Sequence, residues 1–304
     1  MMQFDVVGLG VSVVDILQLV DHFPSQEEVQ RAIDMTIQGG GPVATAMVTL
    51  ARLGARVAML DAIGDDWCGA LIREEFEQEG VCSDYIRQVK GHTSSLACVL
   101  VAKTNGARTI VYFPGTVPEL SPAEVPRALI ESTRFLHLNG RHGEACLQAC
   151  AWARELGVQV SLDGGAHLYR PELRRVVPLV DICIVARDFA TSYTGETNVQ
   201  KAARMLLGEG PRIVVITDGT RGSWVLSREG HSFHQPAYLL PHVVDTTGCG
   251  DSYHGAFLFG LLQGMGLPQT ASFASAVAAL NSQALGGRGG LPTFQRVMAF
   301  LSQF

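Results

Sequence analysis

Residues 245–251 read Asp-Thr-Thr-Gly-Cys-Gly-Asp and run directly into Ser252-Tyr253-His254-Gly255-Ala256-Phe257-Leu258-Phe259-Gly260-Leu261-Leu262. A continuous apolar run after a glycine pair predicts a helix with Asp251 in its first turn. The apolar stretch Leu239 to Val244 before it reads as a strand. Gly248, Cys249 and Gly250 would leave backbone N–H groups uncovered at the helix start. With the positive end of the helix dipole, such groups make an anion site. Asp251 then stands where a carboxylate could take the proton of a substrate hydroxyl. An anion hole beside a carboxylate base suits phosphoryl transfer, in which charge spreads onto oxygens and the nucleophile loses a proton. An Asp in a first helical turn can also do no more than stabilise the dipole, so the rest of the chain has to decide.

Composition narrows the classes. At 304 residues and 47% hydrophobic, the chain can bury a large core, and with 17% charged residues it is not a disordered polyelectrolyte. A net charge of −6 and the lack of a basic run argue against a nucleic-acid surface. No stretch has the ~18 consecutive apolar residues of a membrane span, and the N-terminal residues lack a secretory pattern. Seven cysteines without a Cys-x-x-Cys pair fit reduced thiols in a cytoplasmic protein. The other common phosphate motifs are missing. Lys90, Lys103 and Lys201 are the only lysines and none follows a glycine, so there is no Walker loop; Gly8-Leu9-Gly10 lacks the third Rossmann glycine, with Val13 in its place.

Strand and helix patterns alternate. Strands are predicted at Phe4 to Leu9, Arg31 to Gln38, Arg56 to Ala62, Phe135 to Leu138, Val158 to Leu162, Asp181 to Val185 and Arg212 to Thr217. Helices are predicted at Pro42 to Leu53, Trp67 to Gly80 and near 144–156, 252–264 and 268–284, with a short last one from Thr293. This rhythm implies a parallel sheet covered on both faces. Two segments break it. Residues 223–234 read as a hairpin, and Leu96 to Ala102 and Arg108 to Phe113 flank an Asn105-Gly106 turn, a strong hairpin signal. The expected organisation is one domain over 1–304 with a small discontinuous β lid from about 14–40 and 95–115.

A second motif lies far upstream. Gly39-Gly40-Gly41-Pro42-Val43-Ala44-Thr45-Ala46 leads into Leu50-Ala51-Arg52-Leu53-Gly54-Ala55, followed by Ile63-Gly64-Asp65-Asp66. In this order and separation, the two motifs resemble the N- and C-terminal signatures of the ribokinase-like (PfkB) carbohydrate kinases, along essentially the whole chain. The resemblance implies an α/β three-layer sandwich with a mostly parallel sheet and a β lid, ATP and Mg²⁺ as cofactors, and a small sugar as acceptor. The lid hairpin would expose one apolar face unless covered, which points to a homodimer through the lids, and composition points to a cytoplasmic enzyme with no nucleic-acid or membrane partner.

Carried over residue by residue, the resemblance makes Asp251 the general base and Gly248, Cys249 and Gly250 the anion hole. Asp15, Gly39, Gly40 and Gly41 become sugar neighbours; Thr217, Gly219, Gly222, Ser275 and Gly287 become ATP neighbours. Asp245 and Thr247 match positions that hold a monovalent cation such as K⁺ in relatives, or else simply fix the turn. Arg141, just past a strand end, is a candidate for an anionic or hydroxyl-rich substrate tail. Cys249 stands where the family usually has alanine, as a small filler or, less in keeping, a reactive thiol at a helix N-terminus.

The chain departs from the family in three places. Ala44 replaces a sugar-contacting Asn, and Ala186-Arg187-Asp188-Phe189 replaces an Asn-x-x-Glu motif that organises magnesium and phosphate. Asp163-Gly164-Gly165-Ala166-His167 stands for Asp-x-Asn-x-Arg. The glycine loop, His234-Gln235-Pro236-Ala237 and Gly286 to Pro292 resemble a sulfofructose-kinase-like branch, and Arg141 matches it. Val29 and Tyr112 replace that branch's sulfonate-binding lysine and asparagine, so a sulfonated sugar is not assigned. A nucleoside kinase, with Tyr112 and Phe113 clamping a base, and a catalytically silent sugar-binding protein are the rival expectations.

Overall fold

The computed structural model describes residues 2–304. From the N-terminus, β1 (Phe4–Leu9), β2 (Val13–Val20) and β3 (Asp34–Gly40) lead into α1 (Pro42–Leu53), β4 (Val57–Gly64) and α2 (Trp67–Gln78). Short strands β5 (Val81–Cys82) and β6 (Ile86–Val89) precede the hairpin of β7 (Ser95–Ala102) and β8 (Arg108–Phe113). Then come α3 (Arg127–Glu131), β9 (Thr133–Leu138), α4 (Gly143–Leu156), β10 (Gln159–Gly164), β11 (Ile182–Ala186), α5 (Arg187–Thr194), α6 (Val199–Glu209) and β12 (Ile213–Thr217). The chain closes with β13 (Ser223–Ser227), β14 (Ser232–Gln235), α7 (Cys249–Leu262), α8 (Leu267–Asn281) and α9 (Phe294–Leu301).

Ten strands form the main sheet in the order β14-β13-β12-β11-β10-β9-β1-β4-β5, with β6 pairing on β4. Pairing is parallel from β12 across to β5 and antiparallel only at β13 and β14. Successive residues of a strand face opposite sides, and the core divides accordingly. Val6, Met59 and Phe135 pack with α1, α7 and α8, whereas Val7, Leu9, Leu136 and Leu138 pack with α4, α5 and α6. The sandwich thus has three layers, as its strand–helix alternation implies. No helix is long and apolar enough to cross a membrane, among the described residues.

A separate four-stranded sheet has the order β3-β2-β7-β8. Its inner face buries Val13, Leu17, Ala97, Val99 and Val101, and Asp15 shares that face by its spacing along β2. On the outer face, Ile37, Ile16, Cys98 and Val111 pair directly in one row across all four strands. Ile37, Cys98 and Val111 of that row are exposed.

Two local expectations fail. Leu239 to Val244 is not a strand, for it pairs with no other strand and runs along the edge of a cleft. Pro236 and Pro241 lack the N–H groups a ladder needs, and the sheet already ends at β14. The strand β2, by contrast, was not expected as a separate element. Its Val13-Val14-Asp15-Ile16-Leu17 start has no clean alternation because one face meets the core and the other is half-buried.

Candidate active site

The 245–251 turn folds as the glycines require. Gly248 caps α7 at φ +70°, and a Cβ there would press on the Gly287 carbonyl and lie 2.6 Å from Gly287 Cα. Only glycine meets both conditions cheaply. The turn is latched from behind. Asp245 Oδ1 accepts from Thr247 N and Thr247 Oγ1, both at 2.7 Å, and Asp245 Oδ2 accepts from Gly286 N at 2.8 Å. Asn281 Nδ2 holds the Gly287 carbonyl at 2.8 Å. The Gly250 and Asp251 N–H groups, in the first turn, have no intrahelical acceptor and are left for an anion.

In front of this turn opens a cleft of about 1050 Å³. Gly248, Cys249, Gly250 and Asp251 line it together with Thr217, Gly219, Gly222 and Ser275. Residues read separately from the two ends of the C-terminal half therefore share one cavity. Gly287 does not line the cleft; it backs Gly248. Asp245 and Thr247 are buried in the latch.

The N-terminal candidates form a second cluster. Asp15 is 8% exposed on the inner face of the small sheet. Gly40 is a glycine because a Cβ would run into the Asp15 carboxylate, and Gly39 donates its N–H to Glu75. Arg288, almost wholly buried, joins Glu75 Oε1 at 2.9 Å, the Gly40 carbonyl at 3.0 Å and Thr45 Oγ1 at 3.2 Å. The absent side chains of Gly39 and Gly40 are thus filled by groups of the chain itself, while Gly41 turns the chain into α1 against the Val11 carbonyl. Arg141, at the end of β9, lies 3.6 Å from Glu119 through Nε. It does not line the cleft.

Electrostatics separate the carboxylates. Burial, aided by the Asp163 charge, pushes Asp251 up to about 7, while His254 and Arg108 oppose the rise and Asp15 adds to it. Burial likewise pushes Asp15 up to about 6, against Arg288 and with help from Glu75 and Asp245. The influence of Asp15 on Asp251 puts both clusters in one electrostatic neighbourhood. Burial pushes the Cys249 thiol up to about 12, so it is a small filler and not a thiolate.

Several site residues escaped the sequence. Arg108 of β8 reaches from the small sheet to Thr246 Oγ1 at 3.0 Å and lines the cleft. Arg187 and Arg221 both bind Asp218, at 3.0 and 2.6 Å, beside Thr217 and Gly219. Asp188 accepts from His167 N at 2.6 Å and lines the same cleft. The Arg108–Thr246 and Arg187–Asp218 pairings join side chains from separate elements, and no local pattern announces them.

Comparison with known proteins settles the family. The pfkB family carbohydrate kinases match residues 3–293. The chain belongs to the PfkB family. This PfkB kinase is 30% identical to a ribokinase of Haemophilus influenzae over 302 residues, covering 96% of this chain and 97% of that one. It is 28% identical to a nucleoside kinase of Methanothermobacter thermautotrophicus over 304 residues, with 99% and 96% covered. Its fold is that of an Arabidopsis thaliana ribokinase solved with ribose and ATP, at a TM-score of 0.84, 23% identity and 99% coverage of both chains. As a PfkB kinase it transfers a phosphoryl group to a hydroxyl of a sugar or nucleoside.

Proposed function

We propose that this PfkB kinase phosphorylates a primary hydroxyl of a small sugar or sugar derivative with ATP. The observation that carries the reading is the meeting of Asp251, the open N–H groups of its turn and the Thr217–Gly222 loop in one cleft. ATP would lie along Thr217, Gly219, Gly222 and Ser275 with its terminal phosphate at Gly248, Cys249 and Gly250. The Asp15 cluster, close enough to perturb Asp251, would present the acceptor hydroxyl. Asp251 takes the hydroxyl proton as the oxygen attacks phosphorus, and the N–H groups meet the charge on the transferred oxygens. Arg108 adds a positive charge from the small sheet, which in our reading closes over the sugar and excludes water. Arg141 is reserved in this reading for an anionic tail of the substrate.

Two ions belong to the reading. Mg²⁺ keeps several waters and takes one or two carboxylates besides phosphate oxygens. Asp188 fits, since it lines the cleft and no arginine claims it, and the ion would neutralise phosphate charge. Asp245 is wholly buried with hydrogen-bond donors but no cationic partner among the described residues. A monovalent cation such as K⁺ relieves that situation, with Asp245 and Thr247 as its neighbours. Homodimerisation through the small sheets would cover the exposed Ile37–Cys98–Val111 row.

A nucleoside as acceptor is the second reading, favoured by the nucleoside kinase relative. Of the two aromatics that would clamp a base, Tyr112 shares the Asp15 face through Ala97, whereas Phe113 falls on the opposite face, so at most one member of such a clamp is in place. ADP release with Mg-ATP across sugars, sugar phosphates, sulfonated sugars and nucleosides tests both. Turnover with a sugar and not with nucleosides is the expected result; turnover confined to nucleosides overturns the first reading.

A further inference from the structure

One ionisable cluster has no part in the mechanism above. His137 of β9, Asp163 of β10 and His254 of α7 are 0–2% exposed. His254 Nδ1 lies 2.9 Å from Asp163 Oδ2. The rings of His137 and His254 meet edge-on with centroids 6.1 Å apart, and His137 Nδ1 lies 3.2 Å from Ser161 Oγ. His254 is three residues after Asp251 on α7, hence on the same helix face, and both line the cleft.

A buried carboxylate is tolerated only when paired. Asp163 meets that condition chiefly through His254; no arginine or lysine pairs with it among the described residues. Burial works against the charge on His254, but the Asp163 carboxylate outweighs it and holds the imidazole above its ordinary range. Burial pushes His137 the other way, to about 4, so it is neutral and serves as packing and a hydrogen-bond partner. The groups facing Asp251 are therefore Asp163 from β10, His254 from its own helix, Arg108 from β8 and Asp15 from β2. Asp163 and His254 cancel as a couple, and removing either leaves a net charge next to the base.

We propose that the buried Asp163–His254 couple is a positioning device that holds Asp251 toward the cleft and governs when it gives up its proton. The inference rests on the reading of Asp251 as the base. His254 stands in the first turn and a half of α7, so its tether to the end of β10 also fixes the rotation of the helix that carries Asp251. The same three residues place donor atoms within 4.8 Å of one another, close enough to hold a metal ion. The 2.9 Å approach of His254 to Asp163 favours an ion pair, and a metal centre becomes an outcome of the test.

The test reads Asp251 directly. Carboxyl-carbon NMR titration of the full chain is made for the wild type, His254→Gln, Asp163→Asn and the double variant. The His254→Gln change leaves the Asp163 charge unbalanced, and Asp251 should titrate about one pH unit higher. The Asp163→Asn change should move it about as far down, and the double variant should return toward wild type. The acid limb of kcat/KM on the accepted sugar should move in the same directions, which loss of packing alone would not produce. Shifts of one sign in both single variants, or none, overturn the proposal. So does a stoichiometric transition metal in the purified protein that His254→Gln removes. If one variant does not fold, imidazole-nitrogen titration of the wild type still decides, because a His254 that is neutral at pH 7 refutes the couple. Opposite shifts in Asp251 without any turnover would sink the kinase reading and leave the couple standing.

Discussion

Gly248→Ala separates the anion hole from mere foldability. The substitution has two consequences that can be sized. An alanine at φ +70° pays the left-handed penalty of roughly 1–2 kcal/mol. Its Cβ would also lie 2.6 Å from Gly287 Cα, about 1 Å short of a normal carbon–carbon contact of about 3.5 Å. The turn is latched to Gly286 by Asp245 and to Asn281 through Gly287, so relief has to come from moving the turn itself. A displacement near 1 Å at groups that must meet an oxyanion within about 3 Å lowers the rate about 100-fold. Gly157→Ala is the control. Gly157 caps α4 at φ +71° with open space where a Cβ would go, so it carries the strain without the collision. Both variants should melt a few degrees below wild type, and only Gly248→Ala should lose kcat. The assay is steady-state ADP release at saturating acceptor, beside a thermal melt. A Gly248→Ala enzyme with wild-type kcat, or an equal loss in Gly157→Ala, would refute the reasoning.

Other outcomes follow from the same geometry. Asp251 titrates near 7 in the folded protein against an ordinary 3.8, so the folded state holds that proton more tightly than the unfolded chain. Its contribution to stability is present below about pH 4 and is lost as pH rises through 7; Asp251→Asn should therefore raise the melting temperature at pH 8 and not at pH 4. The same ionisation predicts a kcat/KM that falls below pH 7 in wild type, checked by a pH–rate profile on the accepted sugar. Arg108→Ala removes a cation that faces Asp251 and the cleft, and should lower kcat about tenfold while raising the pH of that limb. Gly40→Ala drives a methyl into the Asp15 carboxylate and should raise the KM for the acceptor far more than that for ATP, as separate saturation curves would reveal.

The chain announces its fold through local patterns but its site only in part. The Asp245–Asp251 turn was legible because everything it needs, two glycines, an acid and an apolar helix, is contiguous. Thr217, Gly219 and Gly222 lie at and just past the end of β12, and their assignment to ATP came from the family resemblance. The misread strand at 239–244 shows the limit of local hydrophobicity, since those apolar residues serve a cleft edge and not a sheet. Ala44 and the 186–189 segment read as losses, yet the structure supplies Arg187, Asp188 and Arg108 around the same cleft. The Arg288–Glu75 and His254–Asp163 pairings join residues far apart in the sequence, and only the folded chain brings them together. The sugar-side glycines carry a similar lesson. At Gly39 and Gly40 the place of a Cβ is taken by Arg288, Glu75 and Asp15, a reason for glycine that no local pattern carries.

The most direct test of Asp251 as the base compares wild type with Asp251→Asn on the accepted sugar, measuring turnover and ATP binding in parallel. The account predicts that turnover falls by at least about 1000-fold while ATP binds as well or better, because one buried negative charge has left the phosphate site. Turnover within tenfold of wild type, or a matching loss of ATP affinity, would contradict it.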